Sequence, residues 1–244
     1  MTGTIVIAKR EFLSYFSTPL AYVFIFIFLV LSGACTFYLG SFFEREQADL
    51  TPFFTFHPWL YLFLVPAISM RLWAEERKSG TIELLMTLPV TRAGAVLGKF
   101  FAAWLFAGLA LVLTAPLWLT VNYLGEPDNG VILASYVGSW LMAGAFLAIG
   151  SAMSVVTRSQ VIAFILCAAV CLVFILAGFP LVLDFFRPWA GSTIVDAIAS
   201  MSFLTHFNAM SKGVLGLNDI AFFLSLIGAW LVATMIAVDM KQGG

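Results

Sequence analysis

Residues 71–99 form a long polar island in an otherwise apolar chain, and no fold can place such an island in hydrocarbon. It begins Arg-Leu-Trp-Ala-Glu-Glu-Arg-Lys-Ser-Gly-Thr-Ile-Glu-Leu-Leu-Met-Thr-Leu-Pro-Val and ends on Gly98-Lys99. Five of the twelve Lys and Arg residues lie in it: Arg71, Arg77, Lys78, Arg92 and Lys99. Flanked by apolar runs, it must project into water on one face of a membrane. Ser79 or Thr81 can cap a short helix there, with Glu83 in the first turn, where the positive end of the helix dipole favours it. Ile82, Leu85 and Met86 follow at helical spacing on one face, and Pro89 stops the helix. Such a helix, held at the surface by flanking spans, is shaped to dock on a soluble partner.

The apolar remainder sets the fold class. The chain is 62% hydrophobic and 10% charged, where a water-soluble domain of this length carries roughly 25% charged residues. We therefore expect an all-α integral membrane protein, a single transmembrane domain over residues 1–244. A span needs about 20 mostly apolar residues. Six stretches qualify or nearly do: about 20–42, 59–73, 100–123, 132–156, 161–179 and 220–238. Pro66 should kink the second. The first follows Lys9-Arg10 but is too long for a signal-peptide core, so it reads as an uncleaved span.

Upstream, Thr4 to Ser17 sets Ile5, Phe12 and Phe16 against Lys9, Arg10 and Glu11. This pattern predicts an amphipathic helix in the membrane interface, turning inward at Pro19; the alternative is a plain extension of the first span. Between the fifth and sixth spans, residues 180–219 are moderately apolar but carry Asp184, Arg187, Asp196, His206 and Lys212. Burying such charges costs about 2.5–3.5 kcal/mol each at a helix centre. Short amphipathic or re-entrant outer helices are expected there instead.

Six spans leave both termini on one side, and the positive charges choose which. With the N-terminus inside, nine Lys and Arg residues are cytoplasmic, and only Arg45, Arg187 and Lys212 lie outside. This is the asymmetry of the positive-inside rule, so both termini and the polar island are expected in the cytoplasm.

Little in the sequence suggests chemistry. His57 and His206 fall in the expected outer loops, and neither a His-Glu-x-x-His pair nor a Gly-x-Ser-x-Gly elbow is present. Cys167 and Cys171 read as small apolar core residues with no metal between them. Gly94-Ala-Val-Leu-Gly98-Lys99-Phe100 is one residue short of a phosphate loop and has Phe where Ser or Thr must reach magnesium. Its glycines are read instead as letting a helix approach, with Lys99 snorkelling to lipid headgroups. Gly144, Ala148 and Ala152 form a second small-residue row. Aromatics near span ends, among them Trp59, Tyr61, Trp73 and Trp140, are expected to anchor at the interface. No basic patch supports nucleic-acid binding.

Glu75-Glu76-Arg77-Lys78-Ser79-Gly80-Thr81-Ile82-Glu83, then Leu88-Pro89-Val90 and Gly98-Lys99, resembles the loop between the second and third spans of ABC-2 type transporter permeases. Arg10-Glu11-Phe12, Ser14-Tyr15-Phe16, Pro58-Trp59, Met70 to Glu76 and Asn122 to Gly130 are similar to the gliding-motility-associated (Gld-type) permeases found in many bacteria. The resemblance covers essentially the whole chain. It implies a non-catalytic permease subunit in a bacterial inner membrane, working with a separate cytoplasmic ABC ATPase that binds the ATP. It also implies a second permease copy, or a related membrane subunit with an extracytoplasmic domain, beside the surrounding lipids.

By the same resemblance Glu75, Glu76, Arg77, Gly80, Thr81, Glu83, Leu84, Leu85, Met86 and Pro89 form the coupling region. The interfacial helix with Lys9, Arg10, Glu11 and Phe12 lies beside it. Leu84, Leu85 and Met86 would make the apolar contact; Glu75, Glu76, Arg77 and Glu83 would make polar contacts; Gly80 and Thr81 would set the turn. Two readings remain open: an exporter subunit whose uncharged spans suit a lipidic or amphipathic cargo, and an ATPase-coupled scaffold or mechanical transducer that moves no solute.

Overall fold

The computed structural model describes residues 2–80, 91–188 and 191–242. The expected coupling helix, with Thr81, Ile82, Glu83, Leu84, Leu85, Met86 and Pro89, lies outside the described residues. All regular structure among the described residues is helical.

Helix α1 (Thr2–Phe16) is a separate element. It ends at Ser17 and Thr18, and α2 (Pro19–Ala34) starts with Pro at its first position, where the missing N–H and fixed φ suit a helix start. A π-helical turn, Cys35–Leu39, extends α2. The two-helix reading of the N-terminus therefore holds over the simple extension. The buried face of α1 differs from the expected one, since Ile5 is exposed while Ile7 is buried.

Short α3 (Thr51–Thr55), α4 (His57–Ser69) and α5 (Arg71–Ser79) follow. Here the second expected span departs from the sequence reading. Its apolar part, α4, is 13 residues long, short of the ~20 a crossing helix needs. Pro66 sits inside α4, yet the break falls four residues later, at Met70.

Helices α6 (Arg92–Val112) and α7 (Ala115–Leu124) form one apolar stretch with a step at Leu113–Thr114. It starts eight residues before the expected third span, so Arg92 to Lys99 is helix rather than loop. Then come α8 (Asn129–Val156) and α9 (Gln160–Leu176). The described residues of 180–211 form three short helices, α10 (Pro180–Phe186), α11 (Ser192–Ser200) and α12 (Phe203–Ser211), none of spanning length. The long α13 (Leu217–Gln242) closes the fold.

By length and composition, four stretches among the described residues can cross a membrane: Pro19–Leu39, Arg92–Leu124, Asn129–Val156 and Leu217–Met240. A fifth is possible if α9 and α10, bent by 73° at their junction, count as one broken span.

Helix α8 is the axis of the bundle. It packs against α4, α5, α6, α9, α12 and α13. Three glycines six residues apart explain how one helix serves several neighbours. Six residues turn a helix by about 240°, so Gly138, Gly144 and Gly150 face three directions. A Cβ at each would lie 3.0 Å from Met210 of α12, 2.8 Å from Trp104 of α6 and 1.9 Å from Ser69 of α4. Small residues at such crossings let backbones approach where lipid offers no hydrophobic drive. Gly144, Ala148 and Ala152 are accordingly buried within the chain.

The α6–α8 contact is reciprocal. Trp104 and Trp140 stack at 4.3 Å. The Trp104 indole N–H donates to the Trp140 carbonyl at 2.8 Å, and Trp140 returns the bond at 3.2 Å. Each ring also lies over the glycine four residues beyond the other, Trp104 on Gly144 and Trp140 on Gly108. Trp140 is therefore an inter-helix clasp rather than an interfacial anchor; Trp73 and Tyr61 are likewise buried.

Neither histidine lies in a loop. His57 opens α4, fully buried, with Nδ1 2.7 Å from Ser139 Oγ. His206 lies on α12, between Asp219 Oδ1 at 2.6 Å and the Ser200 carbonyl at 2.8 Å, so it joins α11, α12 and α13.

Candidate functional site

The island opens with α5, and its sequence dictates an asymmetric helix. Leu72, Trp73 and Ala74 turn inward, whereas Glu75 and Lys78 face solvent. Gly80 ends the helix with φ +73°, the left-handed conformation that side chains resist and glycine adopts freely. No neighbour crowds Gly80, so conformation rather than space requires glycine there.

Three contacts fasten α5 to the axis. The backbone N–H groups of Trp73 and Ala74 donate to Ser154 Oγ at 3.1 and 3.0 Å, and the Ser154 hydroxyl donates to the Met70 carbonyl at 2.9 Å. Ser154 thus enters the hydrogen-bond ladder between α4 and α5. Such an insertion is a recognised cause of a helix break, and it accounts for the break at Met70. The Trp73 indole N–H donates to Ser151 Oγ at 3.0 Å. Arg77 donates to the Val155 carbonyl, capping the C-terminal end of α8, where a cation is favoured.

The fourth fastening is ionic. Lys99, on α6, is 3% exposed, with Nζ 2.7 Å from Glu76 of α5 and 3.4 Å from Glu11 of α1. The ammonium also lies 5.4 Å from the centre of the Trp73 ring, within cation–π range. Lys99 does not snorkel to the headgroups; it joins three helices. Gly98 beside it makes this possible, since a Cβ there would meet Ile7 of α1 at 2.8 Å. The helix that approaches at Gly98 is therefore α1. Burial pushes the Glu11 carboxyl up, but Lys99 and Arg10 outweigh it and hold the group below its ordinary value of 4.5. Glu76 keeps its second oxygen, Oε2, buried and without a hydrogen-bond partner among the described residues.

The expected site residues thus divide. Glu11, Glu76 and Arg77 come together at the α1–α5–α6–α8 junction. Glu75 pairs with Arg71 at 3.0 Å, and Arg10 pairs with Glu11 at 2.9 Å. Lys9 is exposed, and Phe12 packs edge-on to Phe16 at 5.4 Å. Sequence reasoning did not include Ser151, Ser154 or Trp73 in the site, and it read Lys99 as a headgroup contact. A signal existed for Lys99, a lone cation inside a helical run of apolar and small residues; two serines among small residues carried none.

Residues 5–240 match the ABC-2 family transporter proteins, and the chain belongs to that family. It is also similar to the heme exporter protein B of Paracoccus denitrificans, 34% identical over 104 residues, which are 41% of this chain and 46% of that protein. The heme exporter protein B of Rhodobacter capsulatus is 36% identical over 70 residues, 28% of this chain and 32% of that protein. The chain thus spans less than half the length of either relative. Membership makes it a membrane permease component of an ABC transporter, a class served by a partner ATPase subunit.

Proposed function

From this membership, we propose that the chain is the non-catalytic permease subunit of an exporter in a bacterial inner membrane, with both termini in the cytoplasm. In this reading, a separate ATPase binds and hydrolyses the ATP, and residues 75–89 receive its motion. The observation that carries the reading is the fastening of α5. A helix that must transmit force has to be rigidly joined to the spans, and α5 is tied to α8 through Ser154, Ser151 and Arg77. Glu76 and Lys99 tie it to α6. Lys78, exposed near the end of α5, faces the side from which a soluble partner would approach.

The role of Leu84, Leu85 and Met86 as the apolar contact, and of Glu83 beside them, belongs to this proposal. So do the second permease copy or related membrane subunit and the likeness to the gliding-motility-associated branch. The heme named for the two relatives is a cargo to be tested, in keeping with uncharged spans and an amphipathic substrate.

Affinity purification from native membranes, with mass spectrometry and an ATPase assay on the eluate, tests the assignment. An ATPase should co-purify with the chain and be lost when Leu84 and Leu85 are both changed to Asp, while membrane insertion is unchanged. Recovery of an ATPase unaffected by that double change would move the docking surface elsewhere. Recovery of none across several mild detergents would overturn the permease mechanism.

A further inference from the structure

A cleft of about 410 Å³ opens between α1, α2, α4 and α5, within the ~300–1,000 Å³ of ligand-binding pockets. Its two ends differ in chemistry. Glu11, Ser14, Arg71 and Glu75 line one end; Val23, Phe24, Ile27, Leu64 and Ile68 line the other. We propose that this cleft is a phospholipid site, selective for a zwitterionic headgroup that carries a primary ammonium.

Charge complementarity sets the head. The polar end is balanced: Lys99 and Arg71 line it with Glu11 and Glu75, and behind them Glu76 pairs with Lys99 and Arg10 with Glu11. A purely anionic head would meet the two carboxylates, whereas a head with phosphate and ammonium satisfies both signs. Arg71 directs Nε and one terminal nitrogen to Glu75, at 3.0 and 3.3 Å. The guanidinium carries five N–H donors, so its remaining terminal nitrogen is available to a phosphate.

Hydroxyl direction sets the nitrogen. Ser14, Ser17 and Thr18 line the cleft, and each donates its proton to a backbone carbonyl, at 2.7, 2.7 and 3.0 Å. What they present to a ligand is lone pairs. A primary ammonium supplies N–H groups to such acceptors and to the carboxylates; a quaternary choline supplies none.

The apolar end sets the tail. Val23 and Ile27 are exposed on α2, a helix long and apolar enough to cross the membrane. Acyl chains leaving the cleft would run along that helix, burying apolar surface that a soluble zwitterion would leave open. The inference holds whether or not an ATPase docks on the chain.

The test is native mass spectrometry of the purified chain with equal amounts of phosphatidylethanolamine, phosphatidylcholine and phosphatidylglycerol of identical acyl chains. Phosphatidylethanolamine should be retained about tenfold over either rival, the equivalent of one charge-assisted hydrogen bond. Val23→Trp, on an exposed position of α2, should abolish that preference by filling the cleft. Glu75→Gln should shift retention towards phosphatidylglycerol. Equal retention of the three lipids, or a preference untouched by Val23→Trp, would overturn the proposal. Displacement of the lipid by an equal concentration of glycerophosphoethanolamine would make this a site for the soluble head, and would overturn it too. A Val23→Cys dimer cross-linked through the cleft, with no lipid adduct, would assign the space to a second copy.

Discussion

Lys99 is the residue on which the polar end of the bundle turns. An ammonium taken out of water costs several kcal/mol after relaxation, and only close counter-charges offset it. Glu76 and Glu11 supply them, with the Trp73 ring beside the ammonium. Lys99→Met leaves Glu76 without its cation and Glu11 with Arg10 alone. Breaking a buried pair costs roughly 3–5 kcal/mol, and the low end is expected because the carboxylates keep 19% and 21% of their side-chain surface in water. Thermal unfolding in detergent measures it. The same junction predicts a pH dependence. Glu11 is held below its ordinary 4.5 in the folded chain. Its contribution is therefore present above that value and lost as pH falls through the depressed one. Melting temperature should drop in this acid window, and the drop should be smaller in Lys99→Met. The sequence showed Lys99 at the end of an island and so read as a headgroup contact. Its burial depends on α1 folding back over Gly98, a tertiary event that local pattern does not encode.

At the scale of elements, the join between α4 and α5 is made by a side chain from a third helix. Ser154→Ala removes one hydroxyl and leaves the Trp73 and Ala74 N–H groups and the Met70 carbonyl without that partner. If the ladder does not close by itself, the cost is about 1–3 kcal/mol for buried groups left unpaired. Hydrogen exchange at Trp73 and Ala74 should quicken, while the amides of α6 stay protected. Unchanged exchange at both would mean that α4 and α5 had merged into one straight helix. Helix positions were broadly legible, because apolar runs of spanning length have few alternatives in lipid. The break was not. Pro66 pointed to a kink within the span, but the ladder opens where Ser154 enters it, and a serine among small residues looks like filler. The short helices of residues 180–211 were legible from their charges, since Asp184, Arg187 and Asp196 have no place at the centre of a span.

Across the whole molecule, the helices share the burden unequally. In their most apolar stretches, α8 has 78% of its residues buried, whereas the α2 stretch Pro19–Leu39 and α13 have 22%. The outer helices thus carry the surface offered to lipid or to another subunit, and the central one carries the fold. Orientation is a prediction at this scale. In a background without the native cysteines, Arg45→Cys should react with an impermeant maleimide on intact spheroplasts. Lys9→Cys and Arg158→Cys should react only after permeabilisation. Labelling of all three from outside would refute the charge-based topology.

The paired tryptophans limit how this bundle can move. Sliding α6 along α8 by one turn, about 5.4 Å, would break both indole hydrogen bonds and lift each ring from its glycine. Gears of this kind do not slip. If α5 receives a stroke, as proposed above, the two helices should tilt together, with the Trp104–Trp140 clasp as a fulcrum. Displacement should then grow with distance from that point along the pair, and be least at the clasp itself.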